Sequence, residues 1–171
     1  FTVASLDDAL LEAASETFTV NLSATNAAVD DSDTGTGTIT DNDSATVTVD
    51  DVTVAEGGNL LFTVSLDNAV AGGFDVNLSF TDVTATGGGA PLVSPEDYAN
   101  DAQSVTFAGT AGETQTFTVA SLDDALLEAA SETFTVNLSA TNAAVDDSDT
   151  GTGTITDNDS AAVDPNRCIV T

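Results

Sequence analysis

The stretch Ser121-Leu122-Asp123-Asp124-Ala125-Leu126-Leu127-Glu128 holds two adjacent carboxylates and a third four residues on. It joins two runs that read as β-strands, Phe117-Thr118-Val119-Ala120 and Thr133-Phe134-Thr135-Val136-Asn137-Leu138. Oxygen ligands on a connection suit a hard cation, which takes roughly six to eight of them, better than they suit a substrate. The octapeptide recurs unchanged as Ser5 to Glu12. Enzyme chemistry has little to work with. The chain has no His, no Lys and a single Cys, Cys168, which removes the common general base, the usual nucleophile dyads and most transition-metal sites. No Gly-rich phosphate loop with a Lys exists. A carboxylate pair for glycoside hydrolysis stays conceivable, but one Tyr and no Trp leave no aromatic sugar platform. The chain is read as a non-enzyme.

The charge balance narrows the partners. Twenty-nine acidic residues stand against one basic residue, Arg167, for a net charge of −28. Such a surface repels nucleic acid and anionic membrane. It also repels itself, destabilising the compact state unless cations or salt offset it. A solvated acidic surface and multivalent cation binding are both compatible with this balance. Of the 29 acids, 22 are Asp, a residue suited to loops, turns and short-range coordination. The lone cysteine allows no disulfide within a monomer, and no apolar run approaches the roughly 20 residues that span a bilayer.

The elements that must position the carboxylates follow from alternation. Residues 1–45 are identical to residues 117–161, an offset of 116 residues, the length of a whole all-β domain. Ala45-Thr46-Val47-Thr48-Val49 and Val52-Thr53-Val54 form a first strand broken at Asp50-Asp51, where a bulge or kink is expected. Later strands are expected at 60–66, 74–80, 103–107, 114–120, 132–140 and 151–156. The stretch 122–132 has apolar residues at helical spacing and is long enough for a helical turn or two. These seven short strands with Gly- and Asp-rich turns predict an all-β, seven-stranded immunoglobulin-like antiparallel β-sandwich. Residues 46–161 make a complete module, 1–45 the last three strands of an upstream one, and 162–171 a tail. The chain reads as a piece of a longer tandem array.

In such a sandwich the first, third, fifth and seventh strands run the same way, so their C-terminal ends meet at one pole. Glu56, Asp97, Asp123, Asp124, Glu128, Asp157, Asn158 and Asp159 follow those strands. A carboxylate cluster of this size does not stay ionised without cations. Singly, each element has a plainer reading: Glu56-Gly57-Gly58 as a turn, Asp97-Tyr98 as a loop acid with a packing ring, Asp123-Asp124 as a helix start, and Asp157-Asn158-Asp159 as a polar linker. The run Asp146-Asp147-Ser148-Asp149 falls at the opposite pole and reads as solvated. Counted from Asp147, the twelfth position of an EF-hand loop holds Asn158 rather than Glu.

Together these segments resemble the Calx-β domain. The residues that carry the likeness are Val54-Ala55-Glu56-Gly57-Gly58, Glu96-Asp97-Tyr98, Gly112-Glu113-Thr114 leading to Leu122-Asp123-Asp124, Glu128, Glu132-Thr133-Phe134 and Ile155-Thr156-Asp157-Asn158-Asp159. The resemblance implies a sandwich that binds Ca²⁺ at one tip through Glu56, Asp97, Asp123, Asp124, Glu128, Asp157 and Asp159. Asn158 stands where the family often has another acid, which implies fewer or weaker sites. In residues 1–45 the matching positions are Asp7, Asp8, Glu12, Asp41 and Asp43, without equivalents of Glu56 and Asp97, so that half-site is expected to be weak.

The function expected on this basis is a calcium-binding extender module of a large secreted or cell-surface repeat protein, with Ca²⁺ stiffening the module junction. Its partners are neighbouring copies of the same module and other chains of the same protein. Two alternatives remain: a self-assembling or strand-donating subunit, and a calcium-sensing regulatory domain.

Overall fold

The computed structural model describes residues 1–160. The expected tail 162–171 and the last residue of the expected module 46–161 lie outside the described residues. Residues 1–45 contribute β1 (Leu10–Leu11), β2 (Ser15–Asn21) and β3 (Thr34–Thr40). The module begins with β4 (Ala45–Val49), β5 (Val52–Ala55), β6 (Asn59–Leu66), β7 (Ala69–Val70) and β8 (Phe74–Asp82). It continues with β9 (Gly87–Gly88), β10 (Tyr98–Ala99), β11 (Gln103–Phe107), β12 (Thr114–Ala120), β13 (Glu132–Ala140), β14 (Val145–Asp146) and β15 (Thr150–Thr156). No helix occurs among the described residues.

Two sheets face one another. One has the order β11-β8-β13-β15-β5, the other β12-β6-β4-β14. Alternation decides which side chains lie between them. In β6, Leu60, Phe62, Val64 and Leu66 are buried, as are Phe74, Val76 and Leu78 in β8 and Phe134, Val136 and Leu138 in β13. Aromatic rings tie the layers together: Phe62 of β6 meets Phe134 of β13 edge-on at 6.2 Å, and Phe80 of β8 meets Phe117 of β12 at 6.3 Å.

The Asp50-Asp51 break is larger than a bulge, because the chain crosses there from one sheet to the other. The Asp50 carboxylate accepts the Thr63 N–H at 2.6 Å, and the Asp51 carboxylate accepts the Thr152 N–H at 2.6 Å. Each acid thus caps a backbone donor of a different sheet, satisfying groups that the crossing would strand. Past the crossing, β5 pairs with β15 in parallel, Gly153 opposite Val52 through Thr156 opposite Ala55. The pair β4–β14 is also parallel, so the sandwich is not purely antiparallel. Strand pairs β6–β12, β8–β11, β8–β13 and β13–β15 are antiparallel.

Two further expectations are corrected. The run 146–149 is more than a solvated acidic loop. Asp149 accepts the Val49 N–H at 2.9 Å, Asp147 accepts the Ala140 N–H at 2.7 Å, and Asp146 lies in β14. In residues 1–45 only two of the three expected long strands form, β2 and β3, paired with each other alone. Phe1 to Ala4 is not a strand, although the identical Phe117 to Ala120 is. Those later residues pair with β6, and the first copy has no such neighbour among the described residues. A strand without a partner leaves its backbone groups unsatisfied.

The two parts of the chain touch through β1. Leu10 and Leu11 pair in parallel with Ala69 and Val70, the Leu11 carbonyl accepts the Ala71 N–H at 2.9 Å, and Leu11 joins the core of the module.

Candidate metal centre

Four connections converge on one pole, and backbone hydrogen bonds lock them together. The turn after β5 is closed by the Gly58 N–H donating to the Ala55 carbonyl at 3.0 Å. Gly57 within it has φ 72°, a left-handed conformation that glycine adopts without a Cβ clash. Space demands glycine as well: a Cβ there would lie 2.8 Å from that of Asp123. The Glu56 N–H donates to Thr156 at 3.1 Å, extending the β5–β15 ladder by one step, and the Gly57 N–H donates to Leu122 at 3.1 Å. Leu122 in turn donates to the Asp97 carbonyl at 2.9 Å. Ser121 is buried and its hydroxyl donates to Gly58 at 2.8 Å.

Asp97 is held in place by its neighbour Tyr98. That residue is fully buried, and its hydroxyl donates to Asp82 at 2.6 Å. Burial and the Asp82 carboxylate raise the phenol well above its ordinary range. One Asp97 oxygen accepts the Thr86 N–H at 2.6 Å. The stretch 122–131 is an irregular connection without the expected helical turn. Its Asp124 carboxylate takes the Leu126 N–H at 2.7 Å, and the Asp157 carboxylate takes the Glu128 N–H at 3.2 Å. These side chains capture donors that a helix needs.

The acids fall into two groups. Glu56, Asp157 and Asp159 form one, and Asp97, Glu128 and Glu132 the other; within each, one oxygen per residue lies within 4.8 Å of the others. Oxygens on opposite sides of a calcium ion lie roughly 4.6–5.2 Å apart, so the spacing fits a shared cation. A second observation points the same way. Glu56 Oε2 and Asp159 Oδ2 are buried and accept no hydrogen bond, which is costly for a carboxylate left without a partner.

The electrostatics are those of like charges held together and partly withdrawn from water. Burial, followed by Asp97 and Glu132, pushes Glu128 up to about 7. Burial and then Asp157 and Asp159 raise Glu56. Glu132 is raised by burial, then by Asp97 and Asp157, and Asp159 by burial, then by Asp157. Asp124 moves the other way, held down by hydrogen bonds from Leu126 and Ser94. Its charge nonetheless bears on both groups, since it helps raise Glu56 and Glu128. A divalent cation relieves this repulsion.

Of the seven acids expected in the module, Glu56, Asp97, Glu128, Asp157 and Asp159 lie in the two groups. Asp124 flanks them, and Asp123 accepts a hydrogen bond from the Asn158 amide at 3.1 Å. Glu132 was not among the expected ligands. It shares strand parity with the buried Phe134 and Val136, which aims it inward at the end of the core.

The first copy reproduces the scaffold without closing a group. Asp8 accepts the Leu10 N–H at 3.0 Å, Asp41 accepts the Glu12 N–H at 2.8 Å and the Asp43 N–H at 3.0 Å, and Asp7 accepts the Asn42 amide at 3.3 Å. Each contact has its twin in the second copy. Yet both three-carboxylate groups found among the described residues lie beyond residue 45.

Comparison with known proteins agrees with this architecture. The family profile described as Calx-beta domain matches residues 1–53 and 39–160. No curated protein matches. A structure described as the apo-form Calx CBD1 domain is 16% identical, with a TM-score of 0.54 over 68% of this chain and 100% of that one. A structure described as CBD12 from CALX1.2 is 18% identical, with a TM-score of 0.50 over 67% of this chain and 44% of that one. At such identity the likeness is one of fold.

Proposed function

The chain belongs to the Calx-beta domain family, a family of calcium-binding modules rather than enzymes, and from that premise we propose that it is a calcium-stiffened extender segment of a larger secreted or cell-surface repeat protein. Residues 46–160 hold the ions, with Glu56, Asp157 and Asp159 on one and Asp97, Glu128 and Glu132 on the other. The observation that carries this is the pair of carboxylate groups drawn from four connections, with Glu56 Oε2 and Asp159 Oδ2 buried and unpartnered. Asp157 and Asp159 lie where the last strand leaves the module, so an ion there braces the exit from one module toward the next. No helix among the described residues is long and apolar enough to cross a membrane. Modules of this class need only weak affinity, roughly 10⁻⁴–10⁻³ M, in calcium-rich surroundings.

Thermal melting tests the calcium part. Several millimolar calcium should raise the midpoint by about 5 °C or more over chelator. An unchanged midpoint overturns it. Elongation is tested by scattering on a longer array, which should stay rod-like in calcium and become flexible in chelator.

A second reading, strand donation, is favoured by one contrast. Phe1 and Ile39 are 98% and 41% exposed, whereas the identical Phe117 and Ile155 are 6% and 3% exposed. Residues 1–45 thus present half of a core. Light scattering at rising concentration separates the readings: a constant monomer mass argues against donation between chains.

A further inference from the structure

The octapeptide of the candidate centre exists twice, and its adjacent Leu-Leu pair has a different fate in each copy. Leu11 is 5% exposed, packed into the core cluster of the following module. Leu127, its twin, is 54% exposed, and Leu126 beside it 48% exposed. What covers Leu11 is specific. Leu10 and Leu11 add as a short parallel strand to Ala69 and Val70, the Leu11 carbonyl accepts the Ala71 N–H, and Val70 is only 2% exposed. The approach is fixed by the junction: Asn68 donates to the Ser44 carbonyl at 3.0 Å, and the Asp67 carboxylate takes the Thr46 N–H at 2.7 Å. Ser160-Ala161 repeats Ser44-Ala45 in sequence.

We propose that Leu126 and Leu127 are a docking strand for the Ala69–Val70 edge of a further copy of this module, head to tail. The occupant is set by the first copy: identical residues, with the same loop hydrogen bonds around them, already grip that edge inside this chain. Burying the two leucines is favourable in proportion to the apolar area removed from water, and strand addition supplies backbone hydrogen bonds and register. Because Leu126 and Leu127 lie between Asp124 and Glu128, the surface that meets the next module is the same loop that carries candidate ligands. Such an interface is heterologous and propagates into an open array. The inference rests on the tandem reading of the function but not on the ion.

Thiol labelling tests it in a Cys168→Ser background. Leu11→Cys and Leu127→Cys are compared in the full chain, and Leu127→Cys again in a chain where a second copy of 46–161 follows residue 161 directly. The expected result is slow labelling of Leu11→Cys, fast labelling of Leu127→Cys in the original chain, and labelling at least about ten-fold slower once the copy is added. Unslowed labelling of Leu127→Cys in the extended chain overturns the proposal, and so does fast labelling of Leu11→Cys. Hydrogen exchange at Ala71 of the added copy gives a second measurement without substituting either leucine: protection matching that of Ala71 in the original chain supports docking, and exchange at an open-loop rate overturns it. Labelling reads the contact and melting reads the ion, so each can fail alone.

Discussion

Glu128 shows how a single side chain couples the candidate centre to stability. Its ordinary value of 4.5 rises to about 7 in the fold. Between those values the folded state holds a proton that the unfolded chain has released, so stability falls as pH rises through the window. The chelated protein should therefore melt highest near pH 4.5 and lose midpoint steadily toward pH 7. Calcium binds the ionised carboxylates, so its stabilising effect should grow over the same interval. Melting across pH with and without calcium checks both signs. Glu132→Gln should separate ligand from scaffold. Removing one of several repelling charges raises the midpoint in chelator, while the loss of a charged oxygen weakens calcium binding by about ten-fold. Calorimetric titration and melting together test this pair of opposite signs, and a carboxylate with a purely structural role would not give it. Gly57→Ala combines an unfavourable φ with a collision at Asp123, and should cost about 1–3 kcal/mol in denaturant unfolding.

At the scale of elements, the anchor of the Asp97 loop is Tyr98. Tyr98→Phe keeps the stacking on Phe134 but removes the donor to Asp82, and should cost about 1–3 kcal/mol by denaturant unfolding. The long strands were readable because their alternation is strict: Leu60, Phe62, Val64 and Leu66 point one way whatever the neighbours do. What pattern alone did not disclose depends on contacts distant in sequence. The crossing at Asp50-Asp51 needs Thr63 and Thr152 as donors. The connection 122–131 stays non-helical because Asp157 lies beside Glu128 and because Leu122 bonds to Asp97. Helical spacing carried no information about those partners, and a segment that short gains little from helix propensity. Glu132 is a different kind of omission. Its parity with Phe134 was visible in the letters, but a first strand residue reads as solvent-facing until the strand end is known to border a carboxylate pole.

For the molecule as a whole, the two copies form an internal comparison. Both hold the same loop scaffold, and only the second has Glu56 and Asp97 beside it. Glu56→Gln should therefore remove most of the calcium response of the melting curve, whereas Glu12→Gln should leave it nearly unchanged. Equal losses from the two substitutions would mean that the first half-site is completed in solution. The same contrast explains how one sequence yields two local structures: Phe117 to Ala120 is a strand because β6 lies beside it, and Phe1 to Ala4 lacks that neighbour among the described residues.

The parallel pairing of β5 with β15 has a mechanical consequence. The chain enters the module through β4, crosses at Asp50-Asp51 into β5 and leaves through β15, and β5 and β15 run side by side in the same direction. Tension applied at the two ends pulls them past each other along their length. Their hydrogen bonds are then loaded together in shear, and none can yield first as in an unzipping hairpin. Forced unfolding is governed by the unfolding rate, so this geometry should give each module a high rupture force. A cation bridging Glu56 and Asp157, at the end of that ladder, would raise it further. Pulling a tandem array should show steps of about 400 Å per module, from roughly 3.3–3.6 Å per released residue, at forces that drop when calcium is withdrawn.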